Sequence, residues 1–138
     1  MSQQLPSLSL TDWNATRDSL HQFARIIGKI RGRYMPNSKH WWHITLSVSS
    51  RGLTTTPFPV AEQSLELTLD LIAHRLAIDS SDGWSAALPL AGQSAAGLCY
   101  WISVTFAVAG IELELDLLVA FDGDEALPYD IAAIGRFR

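Results

Sequence analysis

The groups that could do chemistry in this 138-residue sequence are four histidines, one cysteine and a spaced set of basic side chains. His40-Trp41-Trp42-His43 stands out first. In a regular strand its two imidazoles project to opposite faces, so they cannot chelate one ion directly, an objection that weakens if His40 lies in the preceding turn. His43 together with Glu66 or Asp70 from a neighbouring strand would be a reasonable ligand set. Nothing in the spacing requires it, so no metal and no cofactor is expected. His21 and His43 are the acid–base candidates, and either could neighbour Arg17 or Arg31. An ordinary structural histidine is the simpler reading of both, and His74, in a hairpin turn, is expected to be exposed. No serine is framed as a nucleophile elbow, and Gly28-Lys29 lacks the preceding glycines of a phosphate loop. Cys99 lies among apolar helix residues, which describes an inert buried thiol. A single cysteine also excludes an intrachain disulfide framework and a multi-cysteine zinc site.

The charges are few and unevenly placed. Charged residues make up 17% of the chain, against roughly 25% in an average domain. Residues 1–51 hold seven Lys/Arg and two Asp, a balance of +5, whereas residues 52–138 hold three Arg and twelve acids, a balance of −9. The basic residues are spaced out rather than run together, so complementarity within one fold or across a dimer is favoured over a polyanion partner, and nucleic acid is not expected. Tryptophans beside a basic helix could stack bases, but Trp42 falls on a core face and leaves only Trp41 beside His43. The first twenty residues show no secretory signal, which points to a cytoplasmic protein.

These groups need elements to position them. Thr11 or Asp12 can cap a helix running to about Arg33, with Trp13, Leu20, Phe23, Ala24, Ile27 and Ile30 as its buried stripe. Asp18, Gln22, Arg25 and Lys29 then face solvent, and Arg17, His21, Gly28 and Arg31 border the stripe. Border arginines commonly snorkel past a core edge; the functional alternative is an anion-holding pair at a pocket rim. Trp42–Val48 alternates as a strand, with Trp42, Ile44, Leu46 and Val48 on one side. Pro57 and Pro59 mark an irregular or edge segment. Leu65–Asp79 reads as a hairpin, Ser80-Ser81-Asp82-Gly83 as a turn, Trp84–Leu88 as a further strand and Glu112–Val119 as another. Tyr129–Phe137 could begin a last helix. One sheet face would carry Leu46, Leu65, Leu67 and Leu69. The other carries Glu66, Thr68 and Asp70, and is expected to meet water. The order gives an α+β fold in one domain spanning 1–138, an antiparallel sheet of about four to five strands with one face packed by two helices.

One segment imitates a membrane span. Gly83–Ile111 contains no charge over 29 residues, and Ser94–Ile111 is 18 residues long, close to the minimum of roughly 17–25 for spanning. Gly97, Ser103, Thr105 and the acidic strand that follows argue instead for a helix buried on more than one side, with no membrane partner. Leu98, Ile102 and Phe106 make a bulky stripe, and Ala96, Ser103 and Ala107 a small one, with Tyr100 and Val104 at its edge. The sheet can cover the bulky stripe. A second subunit would cover the small one, so a homodimer through Ser94–Ile111 is expected.

Thr16-Arg17-Asp18-Ser19-Leu20-His21, Gly28-Lys29-Ile30-Arg31, His40-Trp41-Trp42-His43-Ile44-Thr45-Leu46 and Arg51-Gly52-Leu53-Thr54-Thr55 recur in an order that resembles a bacterial family named domain of unknown function 5996. The hairpin Leu65–Asp79, Asp82-Gly83, Tyr129-Asp130 and Arg136-Phe137 fit the same pattern. The resemblance brings no activity. It covers the N-terminal half of the family's longer members, whose second half echoes the first, and it therefore implies that a second copy substitutes for the missing half. It also selects Arg17, His21, Lys29, Arg31, His40, Trp41, His43 and Arg51 as candidate ligand-binding residues; helical projection alone supports only Arg17, His21 and Arg31. The leading expectation is a non-catalytic binding or assembly module, with a cationic, aromatic cleft between the first helix and the His40–His43 strand for an anionic small ligand or partner. The alternative is an enzyme using His21 or His43 as acid–base, with or without a metal.

Overall fold

The computed structural model describes residues 10–35, 46–113, 123 and 125–131. Helix α1 (Leu10–Tyr34) carries Arg31 and Arg33 in its last turn, where positive charge favours the helix C-terminus. Strands β1 (Ser47–Val48), β2 (Gly52–Thr54), β3 (Phe58–Val60), β4 (Gln63–Asp70), β5 (Arg75–Ser80) and β6 (Ser85–Pro89) follow, and then α2 (Ala95–Val108). The strands form one antiparallel sheet in the order β1-β2-β4-β5-β6, with β3 also paired to β4. Two helices against this sheet make an α+β fold.

Among the described residues the sheet holds six strands, more than the expected four to five, because the threonine–proline segment is regular at both ends. β2 and β3 share one edge of β4, with Leu53 opposite Leu69 and Phe58 opposite Leu65. Between them Thr56 adopts a positive φ of 58°. Thr55 bridges the break: its amide donates to the Leu67 carbonyl, and its hydroxyl accepts from the Leu67 amide. Gly52 is required where it stands. A Cβ there would lie 2.1 Å from the Leu69 carbonyl oxygen, at a φ of +151°.

Alternation along β4 and β5 builds the core. Leu67 pairs with Ile78 and Leu69 with Leu76, and all four side chains are fully buried. Phe23, Ile26, Ile27 and Ile30 of α1 join them, as do Leu98, Ile102 and Phe106 of α2. The stripe expected on α1 is present in Leu20, Phe23, Ile27 and Ile30, and is widened by Ile26. α1 meets β3, β4 and α2, so more of its circumference is covered than one stripe accounts for.

The strand expected over Trp42–Val48 is described only from Leu46; Leu46 packs against the core, but Val48 projects into solvent at 84% exposure. Most of the strand expected over Glu112–Val119, and of the helix expected from Tyr129, lies outside the described residues. The described part of the closing segment is tied to the fold at several points. The Leu127 amide donates to the Gln93 carbonyl, and the Thr16 hydroxyl accepts from the Asp130 amide at 3.1 Å.

Candidate functional site: an uncharged groove beside the second helix

The cationic candidates are spread out. Arg17 is exposed, with an ion-pair distance of 3.6 Å to its neighbour Asp18. His21 and Lys29 are exposed on α1. Arg31 is half-buried and donates from Nε to the Thr55 carbonyl at 2.8 Å, which fastens the end of α1 to the sheet. Fourteen residues separate Arg17 from Arg31, about 21 Å along a helix at 1.5 Å per residue, so they do not form an anion-holding pair. Arg51 and Thr55 lie at opposite ends of β2, about 13 Å apart for an extended chain, so Arg31 and Arg51 do not converge either. His40, Trp41 and His43 lie outside the described residues.

Arg51 has a different task. Its Nε donates to Asp70 Oδ2 at 2.6 Å. Asp70, expected on a water-facing surface, is only 3% exposed. Its other oxygen accepts from the Ile72 and Ala73 amides at 3.0 and 2.9 Å, closing the turn into β5. Burial pushes the Asp70 carboxyl up, but the turn amides and the Arg51 guanidinium outweigh it and hold the carboxyl below its ordinary value. Glu66, half-buried on the same face, accepts from the Thr54 hydroxyl at 2.8 Å. Both carboxylates offered as partners for His43 are thus engaged within the chain. Among the described residues no three His, Cys, Asp or Glu side chains gather as a metal-ligand set.

His74 also departs from expectation. It is half-buried, and its Nδ1 lies 2.9 Å from the Tyr129 hydroxyl, with the rings in edge contact. Tyr129 in turn meets Phe23 of α1. This partner is 55 residues away in sequence, beyond the reach of any local pattern.

A described concave surface lies apart from these residues. Between β6 and α2 lies a groove of about 480 Å³, walled by Trp84 and Ala86 on one side and by Trp101, Val104, Thr105 and Val108 on the other. Trp84 is held rigidly, since its indole N–H donates to Gln63 Oε1 at 3.1 Å and the Ser80 hydroxyl donates to the same oxygen at 2.6 Å. Among the described residues no titratable side chain lines the groove. Its described walls can bind by apolar burial.

α2 forms one wall of this groove. Ser94 caps its start, its side chain accepting from the Gly97 amide at 2.9 Å. Leu98, Ile102 and Phe106 face the core, as their spacing implied. Elsewhere on the helix burial is incomplete among the described residues. Tyr100 is 73% exposed, Val108 86%, and Val104 and Ala107 are exposed as well. Ala96 and Ser103, on the small stripe, are half-buried. No helix among the described residues is long and apolar enough to cross a membrane. Cys99, on the inner flank, is buried, and burial pushes its thiol up to about 11, which keeps it protonated and unreactive. The missed groove residues, Trp84 and Trp101 above all, carried one sequence signal, the lack of charge from Gly83 to Ile111.

Two helices on an open antiparallel sheet, with an uncharged groove between the sheet edge and the second helix, define the structural class. The chain belongs to the family of unknown function DUF5996, which matches it over residues 5–133 and bears out the resemblance read from its motifs. No curated protein and no solved structure matches it.

Proposed function

We propose that this protein is a non-catalytic assembly module that works through the uncharged face of α2 and β6, and that the occupant of this face is a second copy of the same chain. The observation that carries the reading is the exposure of Tyr100, Val104 and Val108 in one row beside an apolar groove. Contiguous apolar surface of this kind, without charge, is characteristic of protein contact surfaces. The charge distribution favours a like partner. The chain has a net charge of −4, so two copies repel generally, yet the stretch from Gly83 to Ile111 contributes nothing to that repulsion. A two-fold contact places the same patch on both subunits, and a neutral patch meets itself without a like-charge clash. The anionic-ligand reading gains no comparable support, because Arg31 and Arg51 bind within the chain and Arg17 stands a helix length away. The enzymatic alternative gains none from His21, which is exposed on α1.

Sedimentation velocity over a range of micromolar concentrations tests the proposal. A dimer whose population rises with concentration is the expected result. A monomer at every concentration overturns it.

A further inference from the structure

We infer that the outward edge of α1 is a docking surface for a short acidic segment of a partner protein. His21, Arg25, Lys29 and Arg33 follow one another at four-residue spacing, and from Ser19 to Tyr34 they are the exposed positions of the helix. Four residues advance a helix by about 6 Å and slightly more than one turn, so these side chains form a single ridge about 18 Å long. The sequence holds no Asp or Glu between Asp18 and Glu62. Basic residues that look scattered along the chain are thus gathered by the helix. Arg25 donates to Gln22 Oε1 at 3.4 Å and the Arg33 guanidinium lies 6.0 Å from the Tyr34 ring centre, yet both stay exposed. Of β3, β4 and α2, which pack on α1, only β4 carries acids. Alternation with the buried Leu65, Leu67 and Leu69 puts Glu66 and Asp70 on the sheet face turned away from the helices.

The length and composition of the ridge select the partner. At its N-terminal end the exposed Asp18 stands 3.6 Å from Arg17, which bounds the basic row. The row spans about six extended residues or three turns of a helix. Screening beyond roughly 8 Å at physiological ionic strength confines its attraction to a segment lying along it. A long polyanion would run past the ridge onto a chain of net charge −4. Single-stranded nucleic acid also needs aromatic platforms for its bases, and a membrane surface needs apolar side chains among the cations. The exposed positions from Ser19 to Tyr34 supply neither. Alternate carboxylates of an extended segment recur about every 6.6 Å, close to the step of the ridge, and arginine can receive each through two parallel hydrogen bonds. A row suits such a segment better than it suits a compact anion, which would meet one cation at a time.

Fluorescence anisotropy of labelled hexaglutamate, titrated with the full chain at low and at physiological ionic strength, tests the proposal. The expected result is binding that weakens with salt. In the triple variant Arg25→Ala/Lys29→Ala/Arg33→Ala it should fall roughly tenfold or more, each lost exposed pair removing a factor of roughly two to five. Lys29→Glu, a single reversal at the middle of the row, should give a loss of similar size and keeps the test decisive if the triple variant fails to fold. Arg75→Ala removes an exposed cation from β5 instead, and should bind as the wild type does. No binding by the wild type at low ionic strength, or equal binding by the wild type and the ridge variants, overturns the proposal. Tighter binding of a charge-matched oligothymidylate, or of vesicles rich in phosphatidylserine, overturns the choice of an acidic protein segment.

Discussion

The corner around Arg51 and Asp70 and the face between β6 and α2 handle surface in opposite ways. Along β2 and β4 the charged groups named above are answered within the chain: Arg51 by Asp70, Asp70 by two turn amides, Glu66 by Thr54 and, at the far end of β2, Arg31 by the Thr55 carbonyl. On the α2 face there is no charge to answer, and apolar side chains stand in water. The first arrangement is finished on folding. The second gains only when another surface covers it. Among the described residues Arg31, Arg51, Asp70 and His74 do structural work, and the stretch that looks chemically blank exposes apolar side chains.

The contrast breaks most readily on the blank side. Val108→Glu puts a charge into the proposed contact surface, whose described residues carry none. We expect self-association to weaken about a hundredfold or more, which equals roughly 2.7 kcal/mol, as read by sedimentation equilibrium. The thermal stability of the monomer should change little, because Val108 is almost wholly exposed. An unchanged dimer would remove this face from the interface.

The finished side should respond in stability and not in assembly. Asp70→Ala takes the acceptor from Arg51 and from two amides, and we expect a loss of about 1–3 kcal/mol in urea denaturation. The same group sets a pH dependence. Its carboxyl is held below the ordinary value in the folded chain, so its contribution is complete above the ordinary carboxyl range. It fades as pH falls through the lowered folded value, below about 4. Asp70→Asn should therefore flatten the acid limb of a melting-temperature profile, and an unaltered limb would show that other carboxylates govern it. Arg31→Ala, which unfastens the end of α1 from Thr55, should cost about 1 kcal/mol, with no change in oligomeric state.

What could be read from the sequence follows from the range of the forces involved. The α1 stripe and the β4–β5 hairpin are written in local periodicity, and Leu20, Phe23, Ile27, Leu67 and Leu69 stand where that periodicity puts them. β2 and β3 escaped because Pro57, Pro59 and the threonines obscure them; each is three residues long and gains its regularity from β4. Asp70 was assigned to water by alternation alone, and its burial depends on a cation nineteen residues earlier. His74 likewise depends on Tyr129. For the candidate site, lack of charge located the patch, but the groove exists only because Trp84 on β6 and Trp101 on α2 are brought side by side.

The smallest effect is expected at Arg17, and it is informative because helical projection placed Arg17, with His21 and Arg31, at the border of the α1 stripe. Its guanidinium is more than half exposed, and its pairing with Asp18 is between neighbours on the same helix turn. Exposed pairs of this kind contribute roughly 0–1 kcal/mol, because two solvated side chains gain little by meeting. Arg17→Ala should therefore shift stability by no more than about 0.5 kcal/mol, the range of an ordinary surface substitution, and leave the dimer intact. Phosphate or sulfate should stabilise wild type and variant equally. A melting temperature that rises with phosphate in the wild type but not in Arg17→Ala would mean that this arginine holds an anion after all. The division between a finished charged surface and an open apolar one would then have to be redrawn along α1.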